Sequence, residues 1–114
     1  MLSRVFRLSK ATDFAKTYKF GKSYNHQTLY IKALSTKAPL TRIAVVVPKK
    51  VSKRAVDRNR DRRRIYEICR TNWDQIQPGY TIIITGKKSL ESITPTDLTK
   101  IILTSLKNLN VIEK

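Results

Sequence analysis

The side chains best equipped for chemistry lie in one run, KKVSKRAVDRNRDRRRIYEICR, residues 49–70. Arg58, Arg60, Arg62, Arg63, Arg64 and Arg70 gather there, with Asn59 between two of them. Arginine dominates over lysine, which favours planar bidentate contacts with phosphate and stacking on rings over plain charge neutralisation. At 100° per residue, Arg58, Arg62 and Ile65 fall near one line of a helix, while Arg60, Arg63, Arg64 and Arg70 spread over other faces. One helix therefore offers two basic surfaces. Cations at the front of a helix are opposed by its dipole, so this charge costs stability unless a bound phosphate backbone offsets it. Asn59 carries a donor and an acceptor that suit a base edge or a 2′-hydroxyl, and equally a contact within its own helix.

A second set combines rings with cations: Phe14, Tyr18, Tyr30 and Lys32. Aromatics beside cations hold single-stranded nucleic acid by stacking and phosphate contact, without reading its sequence. The same rings would also serve to pack a helix on a sheet.

Residues for catalysis by the protein itself are few. There is one histidine, His26, with no second His or Cys near it to make a metal-ligand pattern. The acids Asp13, Asp57, Asp61, Glu67, Asp74, Glu91, Asp97 and Glu113 are spread along the chain, several beside arginine, as helix ion pairs would be. The three glycines are isolated, so no glycine-rich phosphate loop exists.

These groups need elements to position them. Residues 1–8 are basic without a clear period and read as an arm or irregular lead-in. From Ser9, a candidate cap, ATDFAKTYKF reads as a short helix ended by Gly21, with Phe14 and Tyr18 one turn apart on one face. Residues 24–34 alternate as a strand, with Leu29, Ile31 and Ala33 on one side and Tyr30 and Lys32 on the other. RIAVVV, 42–47, reads as a strand covered on both faces, and the two strands are expected to pair as an antiparallel hairpin. The longest helix is expected from about Arg54 to Ile76, with Ile65, Ile68, Cys69, Asn72 and Ile76 near one face. YTIIIT, 80–85, reads as a further strand, and Thr94-Pro95-Thr96-Asp97 as a capped helix start leading the stripe Leu98, Ile101, Ile102, Leu106, Leu109. The expected order is α-β-β-α-β-α, an α+β domain in which three helices pack on a small mixed sheet.

With 114 residues the chain is sized for one domain, 1–114. Lysine and arginine total 24 against 8 acids, a net charge of +16 that self-repels unless a polyanion neutralises it. No stretch approaches the ~20 apolar residues of a membrane span, and MLSRVFRLSKATDF lacks the apolar core of a signal peptide. A cytoplasmic location is expected, in keeping with the single cysteine, Cys69, which reads as a core residue.

Ala55-Val56-Asp57-Arg58-Asn59-Arg60 followed by Arg62-Arg63, between the strands RIAVVVPKK and YTIIIT, resembles the protein subunit of bacterial ribonuclease P. RLSKATDFAKTYKFGKS is similar to that family's first helix, with its two spaced aromatics and terminal glycine. The resemblance covers most of residues 7–88. It implies a left-handed crossover through the long helix, against the usual hand. It also implies an endoribonuclease whose catalyst is a partner RNA with its own bound Mg²⁺, and precursor tRNA as substrate, cut to expose the mature 5′ end. The protein would be a subunit without catalytic residues or a metal of its own. Carried over by position, Arg58, Asn59, Arg60 and Arg63 would face the catalytic RNA. Phe14, Tyr18, Lys32, Arg62 and Tyr66 would hold the 5′ leader. Asp61 and Arg64 stand where the family usually has apolar residues, Tyr66 where it has a basic one, and Lys32 where an aromatic is common.

Three other classes remain in view. A structural RNA-binding protein, such as a ribosomal component, would share the charge and need no leader cleft. A DNA-architectural protein would need minor-groove wedges and a dimer surface, and neither is identifiable. A stand-alone nuclease would cleave without RNA.

Overall fold

Ile82, Ile83 and Ile84 are all buried, and such a run fits only a strand covered on both faces. In the computed structural model, which describes residues 6–8 and 10–112, that strand is β4 (Tyr80–Gly86), third in the chain-crossing order β1-β2-β4-β3 of a four-stranded sheet. It lies antiparallel to β2 (Leu29–Ser35), with Ile31 opposite Ile84, and parallel to β3 (Arg42–Val46), with Ile43 opposite Ile82. The sheet is mixed and the class α+β, as expected, but β2 and β3 do not form the expected hairpin. The doubly buried isoleucine run takes the place between them, and α2 (Ala55–Thr71) makes the long connection from β3 to its parallel neighbour β4.

The segment 24–34 also divides. β1 (Lys22–Asn25) pairs antiparallel with β2, and the chain reverses at His26, whose Nδ1 accepts the Thr28 N–H at 3.0 Å while its own N–H reaches the Leu29 carbonyl at 2.9 Å. His26 is therefore a turn residue, and the alternation predicted for Leu29, Ile31 and Ala33 survives in β2, where all three are buried.

That alternation gives the sheet two unlike faces. Leu29, Ile31, Ile43, Val45, Ile82 and Ile84 pack with Ile65 and Cys69 of α2 and with Leu98, Ile102 and Leu106 of α3 (Pro95–Asn108). Burial of each such side chain contributes roughly 1.5–3 kcal/mol before chain entropy is counted, so this face holds the fold together. Helix α3 starts as its sequence dictates, Pro95 in the first turn and the Thr94 hydroxyl accepting the Asp97 N–H at 3.2 Å. Helix α2 stops earlier than expected: the Asn72 side-chain amide donates to the Ile68 carbonyl at 2.8 Å, and a single 3₁₀ turn, Trp73–Gln75, carries the chain to buried Ile76.

The opposite face is only partly covered. Helix α1 (Ala11–Phe20) rests there on a small cluster of Leu8, Ala44, Ile83, Phe14 and Val46, and the Thr17 and Thr81 hydroxyls meet at 2.7 Å. Gly21 ends α1 as expected, though not through a left-handed backbone, since its φ is −72°. A Cβ there would come within 2.5 Å of the Thr17 carbonyl oxygen and 3.0 Å of the Ala33 oxygen, so the close seating of the helix on β2 requires glycine.

Phe6–Leu8 do not form a free arm. The Leu8 N–H donates to the Ile43 carbonyl at 2.9 Å, Leu8 is buried, and the Phe6 ring packs 5.0 Å from that of Trp73. The rest of the expected arm, residues 1–5, and the candidate cap Ser9 lie outside the described residues; Lys10 stands at the N-cap of α1.

Candidate nucleic-acid interface

Each arginine of α2 has its own set of partners, and these decide what it can offer a phosphate. Arg58 turns back toward the connection from β3 and donates to the Ser52 and Lys53 carbonyls at 3.0 and 2.8 Å, fastening the turn that enters the helix. Arg60 is held between two carboxylates, Asp57 at 3.4 Å and Asp61 at 3.3 Å. Arg62 donates to the Asn59 side-chain oxygen, so these two present themselves as a unit. Arg70 binds Glu67 one turn back and holds its carboxyl down at about 2. Arg63 is exposed and makes no hydrogen bond or ion pair with any described residue.

Asp61 and Arg64, the two polar residues where apolar ones are usual, fasten α2 to the loop after β4. Asp61 is 0 % exposed; one of its oxygens accepts the Leu90 N–H at 3.4 Å and the other takes Arg60. Arg64 donates to the Leu90 carbonyl and, at 2.5 Å, to that of Ile93. A buried carboxylate and a guanidinium thus satisfy backbone groups that an apolar pair would leave to other partners. In a run of seven charged residues among eight, 57–64, the charge pattern alone does not mark these two as inward-facing.

Tyr66, expected in the leader-facing set, is mostly covered. It is 8 % exposed, and its hydroxyl accepts the N–H of Val45 at 3.2 Å. Because β3 ends the sheet, its outer edge carries backbone donors with no strand beside them, and Tyr66 covers one. Its ring belongs to the core cluster and reaches the surface only at the depression on α2.

Val56, Asn59, Arg62, Arg63 and Tyr66 line one depression of about 440 Å³ on α2. Residues expected to face the catalytic RNA, Asn59 and Arg63, therefore sit beside Arg62, expected to face the leader. Phe14, Tyr18 and Lys32 belong to the other side of the sheet, with α1. Phe14 is half-buried on the small cluster, Tyr18 is 44 % exposed, and the Lys32 amine reaches the Gly21 carbonyl at 3.4 Å. Tyr30 alternates with the core positions of β2 and is half-buried.

The remaining chemistry is limited. Among the described residues no three His, Cys, Asp or Glu side chains gather where they would hold a metal ion, and no helix is long and apolar enough to cross a membrane. Burial pushes the Cys69 thiol up to about 12, so it is protonated and inert at neutral pH.

This arrangement of elements has counterparts among known proteins. The family model for ribonuclease P matches residues 2–110. The chain belongs to the ribonuclease P protein family. The ribonuclease P protein component of Clostridioides difficile is 42 % identical over 108 residues, 94 % of this chain and 90 % of that one. The ribonuclease P protein of Thermotoga maritima superposes with a TM-score of 0.79 at 27 % identity, over 95 % of this chain and 98 % of its own. That of Staphylococcus aureus gives 0.83 at 25 % identity, over 95 % and 98 %. Membership in the ribonuclease P family carries RNA binding and tRNA processing in general terms, and a partnership with the ribonuclease P RNA.

Proposed function

We propose that this protein binds the catalytic RNA of a ribonuclease P and the 5′ leader of precursor tRNA, promoting removal of the leader. Cleavage belongs to the RNA and its own Mg²⁺; the protein supplies affinity and orientation. On this reading it works in the cytoplasm. Arg58, Asn59, Arg60 and Arg63 serve the catalytic RNA, through phosphate contacts and the amide of Asn59. Phe14, Tyr18, Lys32 and Arg62 hold the single-stranded leader, by stacking on the rings and neutralising its phosphates. Tyr66 acts behind them by fixing α2 against the edge of β3.

The observation that carries this reading is the pairing of two separate surfaces: guanidiniums along α2, and rings with a lysine on the open side of the sheet. A leader contact is absent from mature tRNA, so it raises affinity for precursor alone. The same cations lower the Mg²⁺ requirement by screening phosphate repulsion where substrate and RNA meet.

The test is binding of precursor and mature tRNA to a complex of the protein with a bacterial ribonuclease P RNA, with cleavage assays omitting each component. Tighter precursor binding only with the protein present, and cleavage that requires the RNA, is the expected result. Equal affinities and unchanged cleavage would leave a structural RNA-binding protein instead.

A further inference from the structure

Phe20, the last residue of α1, is the most exposed large apolar side chain among the described residues, at 66 %. It stands about 200° round the helix from Tyr18, so it points away from the face that carries Phe14 and Tyr18. The Lys19 amine lies 5.3 Å from its ring centroid, a cation over one face of the ring that leaves the other open. Beside it Phe20, Lys22, Ala33, Leu34, Tyr80 and Leu109 contribute to a pocket of about 220 Å³, and no carboxylate is among the residues lining it. Lys16 lies one turn back on the same side of α1, and Lys16, Lys19 and Lys22 are all exposed.

We infer that Phe20, with Lys16, Lys19 and Lys22, is a second single-strand RNA site, which stacks one unpaired base of the ribonuclease P RNA. This inference rests on the proposed function and extends it. An apolar pocket beside an exposed ring fits a base, and lysines around a pocket that no carboxylate lines fit the phosphates on either side of it. The leader, held on the Phe14 and Tyr18 side, lies on the wrong face of α1 to reach Phe20. The occupant is therefore a strand of the partner RNA.

The experiment compares the full-length parent with Phe20→Ala, Phe20→Trp and Lys22→Ala, each bound to a bacterial ribonuclease P RNA without substrate and then with precursor or mature tRNA. Phe20→Ala is expected to weaken binding to the RNA roughly tenfold, the loss of one stacked base. Phe20→Trp is expected to keep or tighten it. Lys22→Ala should weaken binding and flatten its salt dependence by about one ion. The ratio of precursor to mature affinity should stay at the parent value in all three. Unchanged RNA affinity in Phe20→Ala overturns the inference while leaving the proposed function standing. A fall in the precursor ratio overturns it in favour of the leader, and a change in sedimentation of the free protein overturns it in favour of a second copy of this chain. Failure of the parent to bind the RNA at all would instead remove the proposed function itself. Because Phe20 is exposed, circular dichroism and the urea midpoint should be the same for the parent and Phe20→Ala.

Discussion

Helices α1 and α2 are both basic, yet their charges are differently placed. On α2 most guanidiniums are already engaged: Arg58 with backbone carbonyls, Arg60 with two acids, Arg64 with the loop at Leu90–Ile93, Arg70 with Glu67. On α1 the lysines stand in solvent and the rings of Tyr18 and Phe20 are largely uncovered. The difference shows that the density of charge along a sequence does not measure the charge available to a ligand. α2 is a braced surface, whose arginines are oriented before RNA arrives at a cost of part of their hydrogen-bonding capacity. α1 is an open one, whose contacts form on binding.

If the open surface holds the leader, the largest effect should come from its rings. Replacing both Phe14 and Tyr18 by alanine is expected to lower the preference for precursor over mature tRNA by about 10- to 100-fold, at roughly 1–3 kcal/mol per stacked base. Equilibrium binding with both tRNAs reads this, and a loss shared equally by the two would count against a leader contact. Phe14 also packs on Leu8 and Ile83, so Tyr18→Ala alone, a position with no core role, should carry a measurable part of the loss.

On the braced surface the largest effect should be on stability. Asp61→Ala leaves the buried Leu90 N–H without a partner and takes one carboxylate from half-buried Arg60, and is expected to cost about 2–4 kcal/mol. The urea midpoint measures it; a change within experimental error would mean the loop after β4 is held by other contacts.

Arg63 and Arg64 are neighbours in sequence and should behave oppositely. Arg63→Ala is expected to weaken RNA binding by about 1 kcal/mol and to reduce the salt slope by about one, with stability unchanged. Arg64→Ala should lower stability by about 1–3 kcal/mol, because the Leu90 and Ile93 carbonyls lose their donor, while the salt slope stays closer to the parent's. Salt titrations and urea melts on the same samples separate the two roles.

The smallest effect at neutral pH concerns Cys69. With its folded pKa raised to about 12 by burial, the thiol should resist alkylation in native protein at pH 8 and react on unfolding. An unfolded cysteine ionises near about 8.5, so the stability this group contributes is complete below that pH and is lost as pH rises towards the folded value. Cys69→Ala should remove that part of the alkaline decline, as read from urea midpoints across the range.

Much of this was legible along the chain. The stripe Leu98, Ile102, Leu106 marked α3 and its buried side, and Thr94-Pro95 marked its start, because helical spacing and capping are local properties. The alternation of Leu29, Ile31 and Ala33 against Tyr30 and Lys32 sorted the two faces of β2 correctly. The candidate site was legible as residue types, arginines on one helix and rings on another, and only partly as roles. Tyr66 was read as leader-facing, and Asp61 and Arg64 were left without partners, because each is engaged by something distant: the edge of β3, or a loop nearly thirty residues further on.

By itself the sequence determined the kinds of elements, their apolar sides and the excess of positive charge, since these follow from periodicity, capping and composition over neighbouring residues. The strand order, with β4 between β2 and β3, was decided only by tertiary structure, because three consecutive isoleucines needed cover on both faces and only a central position supplied it. Tertiary structure likewise decided what holds Arg64, whose carbonyl partners lie in a loop far along the chain. Arg58, Arg60 and Arg70 are held by neighbours within six residues, which leaves each of them fewer donors to offer RNA.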